Sequence, residues 1–161
     1  MAKRQLTPEK STRRPHATTR AYFAGIIDGE GCLNIHTNSN RASYTARLMV
    51  SMTEPRVLRM LHRAYGGSLR CQPSRYKNHK DSWYWYATGS ALEKCLEEVM
   101  PYMLIKTKQA KLCLRVRASS KSWVHFVKGK KGIQHVPARV LAYRQNLKEQ
   151  VNALNKTGKR D

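Results

Sequence analysis

Acidic residues are scarce in this chain: 10 Asp and Glu stand against 31 Lys and Arg among 161 residues, a formal charge of +21. A folded chain of that charge repels itself unless a polyanion neutralises it, and nucleic acid is the polyanion to expect. Long apolar runs are missing too. No stretch reaches the roughly 18 apolar residues of a membrane span, and no basic helix carries a dominant apolar face, so no membrane partner is expected. The four cysteines, Cys32, Cys71, Cys95 and Cys113, make no C-x-x-C pair. That excludes a zinc ribbon and points to reduced thiols in an intracellular protein. Cys32 and His36 have a spacing compatible with metal ligation, but packing on one strand face accounts for both. Residues 1–20 lack the apolar stretch of a secretory signal, and Pro8, Glu9 and Pro15 spoil the amphipathic helix of a transit peptide.

A chain of this length suits one domain with its own hydrophobic core. We expect a flexible basic arm over 1–17, a single domain over 18–154 and a basic tail over 155–161, with Lys128-Gly129-Lys130-Lys131-Gly132 a further flexible stretch. No internal repeat is visible. Thr18 to Gly29 reads as a helix with Thr18 or Thr19 as N-cap. Cys32 to Asn38 then alternates apolar with polar residues, as does Ser43 to Met52, and the turn Asn38-Ser39-Asn40 joins the two into a hairpin. Pro55 opens a helix to Tyr65 with Val57, Leu58, Leu61 and Ala64 on one face, and Gly66-Gly67 ends it. A second hairpin pairs Ser68–Gln72 with Ser82–Thr88 across a basic loop. Ser90 is expected to cap the next helix, which Pro101 breaks, and further helices are expected from Lys106 to Ala118 and from Pro137 to Asn155. This order argues an α+β domain built on one four-stranded antiparallel sheet, followed by C-terminal helices.

The most informative stretch is Phe23-Ala24-Gly25-Ile26-Ile27-Asp28-Gly29-Glu30-Gly31. Ala21, Gly25 and Gly29 recur at i, i+4 and i+8, so one stripe of the helix is almost bare and a second helix can approach its backbone. Glycine costs up to about 1 kcal/mol relative to Ala in a helix interior, so two of them want a packing reason. Asp28 and Glu30 sit at the C-terminal end of the same helix, where the helix dipole disfavours negative charge and a compensating cation is expected. A carboxylate-held Mg²⁺ that polarises a phosphodiester is one use for such acids; capping or solvating a loop is the bland alternative.

The nonapeptide resembles the motif that names the LAGLIDADG homing endonucleases, and the element order resembles their αββαββα core over roughly 19–118. A single motif implies the homodimeric type, with the partner helix supplied by a second copy. The resemblance further implies Glu30 as the metal ligand together with Gly29, Asp28 as a catalytic-site acid nearer the dimer interface, and an interface built from Ala21, Ala24, Gly25, Asp28 and Gly29. Leu104-Ile105-Lys106-Thr107-Lys108-Gln109-Ala110 resembles a second family signature, which makes Lys106 the lysine at the scissile phosphate. The chain departs from the family at Met52, where many members have Gln; a thioether is a poor ligand for Mg²⁺, so either Ser51, Thr53 or Glu54 takes over, or the register differs, or activity is weakened.

Outward residues of the strands would then form a basic face for the major groove: Asn34, His36 and Asn38, then Arg47, then Arg70 and Gln72, with Arg41, Arg75 and Lys77 from the loops. Arg can read guanine and Asn or Gln adenine, although phosphate usually takes half or more of such contacts. Counting back from Pro101 against the family pattern puts Trp83 and Trp85 on this face and Tyr84 and Tyr86 in the core. The implied activity is site-specific hydrolysis of both strands of a long, pseudo-palindromic DNA target, with Mg²⁺ or Mn²⁺ as cofactor and Ca²⁺ binding without efficient cleavage. The implied location is intracellular, with the targeted genome, in bacterial or phage cytoplasm or an organelle. The alternatives on the same scaffold are a maturase that binds host intron RNA and a non-cleaving DNA-binding regulator.

Overall fold

The computed structural model describes residues 14–37, 43–122, 125–126 and 134–156. Helix α1 (Ala17–Glu30) runs into β1 (Gly31–Thr37) and β2 (Tyr44–Met52), and α2 (Pro55–Tyr65), β3 (Ser68–Gln72), β4 (Ser82–Thr88) and α3 (Gly89–Val99) follow. A 3-10 turn over Met100–Tyr102 leads to α4 (Thr107–Ser122), the short pair β5 (His125–Phe126) and β6 (Gln134–His135), and α5 (Ala138–Lys156). The first four strands form one antiparallel sheet in the order β1-β2-β4-β3. This is the expected α+β architecture.

Alternation decides which face of the sheet is buried. Leu33 and Ile35 of β1, Tyr44, Ala46, Leu48 and Val50 of β2, Leu69 of β3, and Trp85 and Ala87 of β4 all turn inward. Helices cover them through Phe23, Ala24 and Ile27 of α1, Leu58 and Leu61 of α2, Leu92 and Leu96 of α3, and Ala110, Cys113 and Val116 of α4. Each large aliphatic side chain so buried contributes about 1.5–3 kcal/mol. Pro55 starts α2, with Glu54 accepting the Arg56 N–H at 3.1 Å. At the far end Gly67 takes φ +84°, and a Cβ there would stand 2.3 Å from the Tyr86 carbonyl oxygen, so only glycine lets β3 begin against β4.

Several local expectations are corrected. The N-cap of α1 is His16, not Thr18 or Thr19, and Ser90 lies inside α3, whose N-cap is Thr88; neither cap makes a side-chain bond. Gly89 turns the chain through φ +57° directly out of β4, which starts the helix a residue early. Trp83 and Trp85 face the core, not the open face: Trp85 is fully buried opposite Val50 and Leu69, donating its indole N–H to the Gly66 carbonyl at 2.8 Å, and Trp83 packs at the core's edge. Tyr84 and Tyr86 therefore take the open face. The strand's own alternation carries the signal, with Trp83, Trp85 and Ala87 on one parity and hydroxyl-bearing Tyr84, Tyr86 and Thr88 on the other.

Helix α5 is an integral part of the domain. Val140, Leu147 and Val151 are buried against α4 and the sheet. Asn155 donates to the Leu33 carbonyl at 2.9 Å and Lys148 to Thr37 Oγ1 at 3.0 Å, which ties the helix to β1. Buried Arg144 donates to Ser119 Oγ at 2.9 Å and to its carbonyl at 2.8 Å. Most of the basic arm, Asn38 and Arg41, the Lys128–Gly132 stretch and most of the tail lie outside the described residues.

Candidate active site and nucleic-acid interface

The end of α1 and the start of α4 interlock. Asp28 is buried, and its carboxylate accepts three backbone N–H groups: Leu104 at 2.6 Å and Ile105 at 3.2 Å on one oxygen, Lys106 at 2.9 Å on the other. Burial pushes this carboxyl up, but the three N–H groups and the Lys106 ammonium outweigh it and hold its pKa below the ordinary value. In return Lys106 Nζ donates to the carbonyls of Gly31 at 2.6 Å, Ile27 at 3.1 Å and Gly29 at 3.4 Å. They cluster at the C-terminus of α1, where the helix dipole is negative and the Gly29 carbonyl has no helical partner, although the Ile27 carbonyl also accepts the Gly31 N–H, and α1 has no basic residue of its own in its last turn. Lys106 is the compensating cation. Gly31 permits the close fit, since a Cβ there would stand 2.4 Å from the Ile27 carbonyl oxygen.

Glu30 has a different environment. It is the last residue of α1 and exposed, and its carboxylate makes no hydrogen bond or ion pair with the described residues. In so basic a chain a carboxylate without a partner among the described residues is a hard oxygen donor free to hold a divalent cation, and the carbonyl of Gly29, its neighbour in sequence, keeps a second lone pair for it although Lys106 Nζ reaches it at 3.4 Å. Among the described residues of one chain no three His, Cys, Asp or Glu side chains converge. Met52 packs against the core and Glu54 is taken up by Arg56, so Ser51 and Thr53 are the oxygen-bearing side chains left near the end of β2.

The small-residue stripe of α1 faces outward. Ala21, Gly25 and Gly29 are exposed, and a Cβ on either glycine would meet nothing within 4 Å, so nothing among the described residues accounts for them. Tyr22, Leu104 and Ile105 are also exposed, at 49%, 90% and 71%. Ala24 is fully buried on the opposite side of α1, and Asp28 is turned inward against α4, which removes both from the expected interface.

On the open face of the sheet, Asn34 lies opposite Arg47 on β1 and β2, while Arg70 and Gln72 of β3 lie opposite Tyr84 and Ser82 of β4. Burial, then the nearby charges of Arg47 and Lys148, hold the pKa of His36 below its usual value, which favours a neutral imidazole on this face. Arg75 and Lys77 are exposed in the β3–β4 loop, which Asp81 steadies by accepting the Ser74 N–H at 3.0 Å. Two residues of this face escaped the sequence reading. Tyr84 and Tyr86 stack with ring centroids 6.2 Å apart, and the guanidiniums of Arg47 and Arg70 lie 5.5 Å and 5.9 Å from the Tyr86 ring.

No family model matches the chain. It is 27% identical over 99 residues to the DNA endonuclease I-CvuI of Chlorella vulgaris, a match covering 60% of this chain and 62% of that relative's length. The fold superposes on I-CvuI in complex with its DNA target in the presence of Ca at a TM-score of 0.63, with 23% identity over 90% of this chain and 87% of the other. The archaeal intron-encoded homing endonuclease I-Vdi141I, complexed with DNA, gives a TM-score of 0.67 at 15% identity over 89% of each chain. The chain thus resembles a DNA endonuclease in sequence and has the fold of the homing endonucleases. Arg47 and Arg70 stand on the larger of the two antiparallel sheets among the described residues. Among the described residues no helix is long and apolar enough to cross a membrane.

Proposed function

We propose that two copies of this chain form a homing endonuclease that hydrolyses both strands of a long, pseudo-palindromic DNA duplex. The observation that carries this reading is Glu30: an exposed carboxylate, unpaired among the described residues, at the end of a helix whose bare stripe is also exposed. Two such stripes related by a two-fold axis would bring two Glu30 carboxylates together, one for each strand. Arg47, Arg70, Asn34, His36 and Gln72 would lie along the major groove, with Arg75 and Lys77 on phosphates. The exposed side chains of Leu104 and Ile105, whose backbone N–H groups bind Asp28 in the α1–α4 junction, suit the same interface.

Glu30 and the Gly29 carbonyl would hold Mg²⁺ or Mn²⁺, which when bound supplies Lewis-acid polarisation of the phosphodiester and a more acidic water. Ca²⁺ is expected to occupy the same oxygens without supporting efficient cleavage. The chain's own residues do the rest. Asp28 and Lys106 fix the end of α1, so Glu30 projects from a rigid support, and the Lys106 ammonium brings a cation to the place where phosphate charge has to be stabilised. The test is a cleavage selection on a randomised duplex library with Mg²⁺. Recovery of one long pseudo-palindromic site supports the reading, and a library left uncut overturns it.

A further inference from the structure

The open face of the sheet holds a contact that phosphate binding alone does not require. Arg47 on β2 sits opposite Thr88 of β4, and Arg70 on β3 sits opposite Tyr84, so each is one diagonal step from Tyr86, on opposite sides of it. Both lean across to the same ring, at 5.5 Å and 5.9 Å from its centroid. Tyr84 stacks alongside with the two ring planes only 13° apart. None of the ion pairs among the described residues involves Arg47 or Arg70, and Arg47 Nε is buried without a hydrogen-bond partner.

The difference between a ring and an acid as a partner matters here. A carboxylate would restrain an arginine by occupying its N–H fork, the part that recognises guanine O6 and N7. An aromatic ring restrains the guanidinium through its charge and leaves the donors free. Ordinary cross-strand stabilisation also pairs Arg with Tyr, but it does not call for two arginines on one ring with neither in an ion pair among the described residues.

We propose that Tyr86, supported by Tyr84, is a positioning residue for sequence recognition: its ring holds Arg47 and Arg70 with their terminal guanidinium N–H donors free, so that each reads a guanine in every half-site. The proposal rests on the reading that this face lies in the DNA groove.

Binding-site selection from randomised duplexes in Ca²⁺, with the full-length protein, tests it. The wild type is expected to prefer guanine at two positions of each half-site, Arg47→Ala to relax one and Arg70→Ala the other. Tyr86→Leu is expected to relax both together by about 3- to 30-fold, with its thermal midpoint near that of the wild type, while Tyr86→Phe, which keeps the ring, retains both. Tyr86→Val, with a β-branched side chain suited to the strand, serves as the second variant should Tyr86→Leu not fold. Both preferences intact in the folded leucine or valine variant, or lost equally in Tyr86→Phe, would overturn the proposal while leaving the DNA reading in place. A wild type that selects no duplex at all overturns the DNA reading itself, and the proposal with it.

Discussion

Asp28 and Lys106 hold each other's helix ends: the Asp28 carboxylate accepts the Lys106 backbone N–H at 2.9 Å, and the Lys106 ammonium reaches the Gly31 carbonyl at 2.6 Å. Each residue thus supplies what the other's helix lacks, an anion at the N-terminal approach of α4 and a cation at the C-terminus of α1. Of the two acids in the motif, one is thereby used up in the framework and the other is left free. That division of labour makes separate predictions for the two positions.

Asp28→Asn keeps the size but loses the charge and turns one acceptor into a donor facing N–H groups. Hydrogen bonds to a charged group contribute about 1.5–3 kcal/mol, so chemical denaturation should show a loss of that order. Because the folded-state pKa of Asp28 is depressed, its contribution is complete above the ordinary carboxylate pKa and is lost as pH falls through the folded value. The difference between wild type and variant should therefore shrink on acidification. A difference independent of pH would contradict the assignment.

Trp85 is fully buried and its indole N–H is bonded to the Gly66 carbonyl. Trp85→Ala should destabilise by about 3–5 kcal/mol, whereas Thr88→Ala, exposed at the end of the same strand and an N-cap of α3 without a side-chain bond, should cost about 1 kcal/mol or less. Equal losses in thermal melts would contradict the orientation of β4.

Gly25→Leu should leave the domain folded, since a Cβ there meets nothing among the described residues. It should nevertheless separate the subunits in sedimentation and abolish double-strand cutting. A leucine variant that still sediments as a dimer would remove the α1 stripe from the interface.

Affinity for the target duplex should fall steeply with salt as bound cations displace counterions. Each phosphate contact contributes a slope of about −0.9 in log K against log salt, so binding isotherms at several salt concentrations should give a total slope steeper than about −3. A shallower slope would be inconsistent with an extended duplex footprint.

The sequence made some of this plain and concealed the rest for physical reasons. The bounds of α2, β3 and β4 were legible because Pro55, the Gly66-Gly67 pair and a strict alternation mark them locally. The open stripe of α1 was legible because two glycines in a helix want an external reason. The task of Asp28 was not, because its partners are backbone N–H groups 76 to 78 residues away, and a backbone N–H leaves no mark in a sequence. Ala24 belongs to the same motif as Gly25 but lies on the other side of the helix, a distinction the 3.6-residue period could have drawn. Tyr84 and Tyr86 were misplaced by counting from a proline beyond the next helix, when the strand's own polarity pointed the other way. Helix α5 was legible only as a helix; the buried row Val140, Arg144, Leu147, Val151 has a helical period, but a buried arginine bonded to Ser119 disguises it as a polar surface.

The central claim is that Glu30, and not Asp28, is the metal-holding acid. Glu30→Gln removes the charge with almost no change in shape at an exposed position, so the fold should be unaffected. The measurement is single-turnover cleavage of the selected duplex in Mg²⁺, beside equilibrium binding to the same duplex in Ca²⁺. Cleavage by the variant is expected to collapse while binding persists or tightens, because a carboxylate facing phosphates without metal repels them. A Glu30→Gln protein that cuts at the wild-type rate would contradict the account.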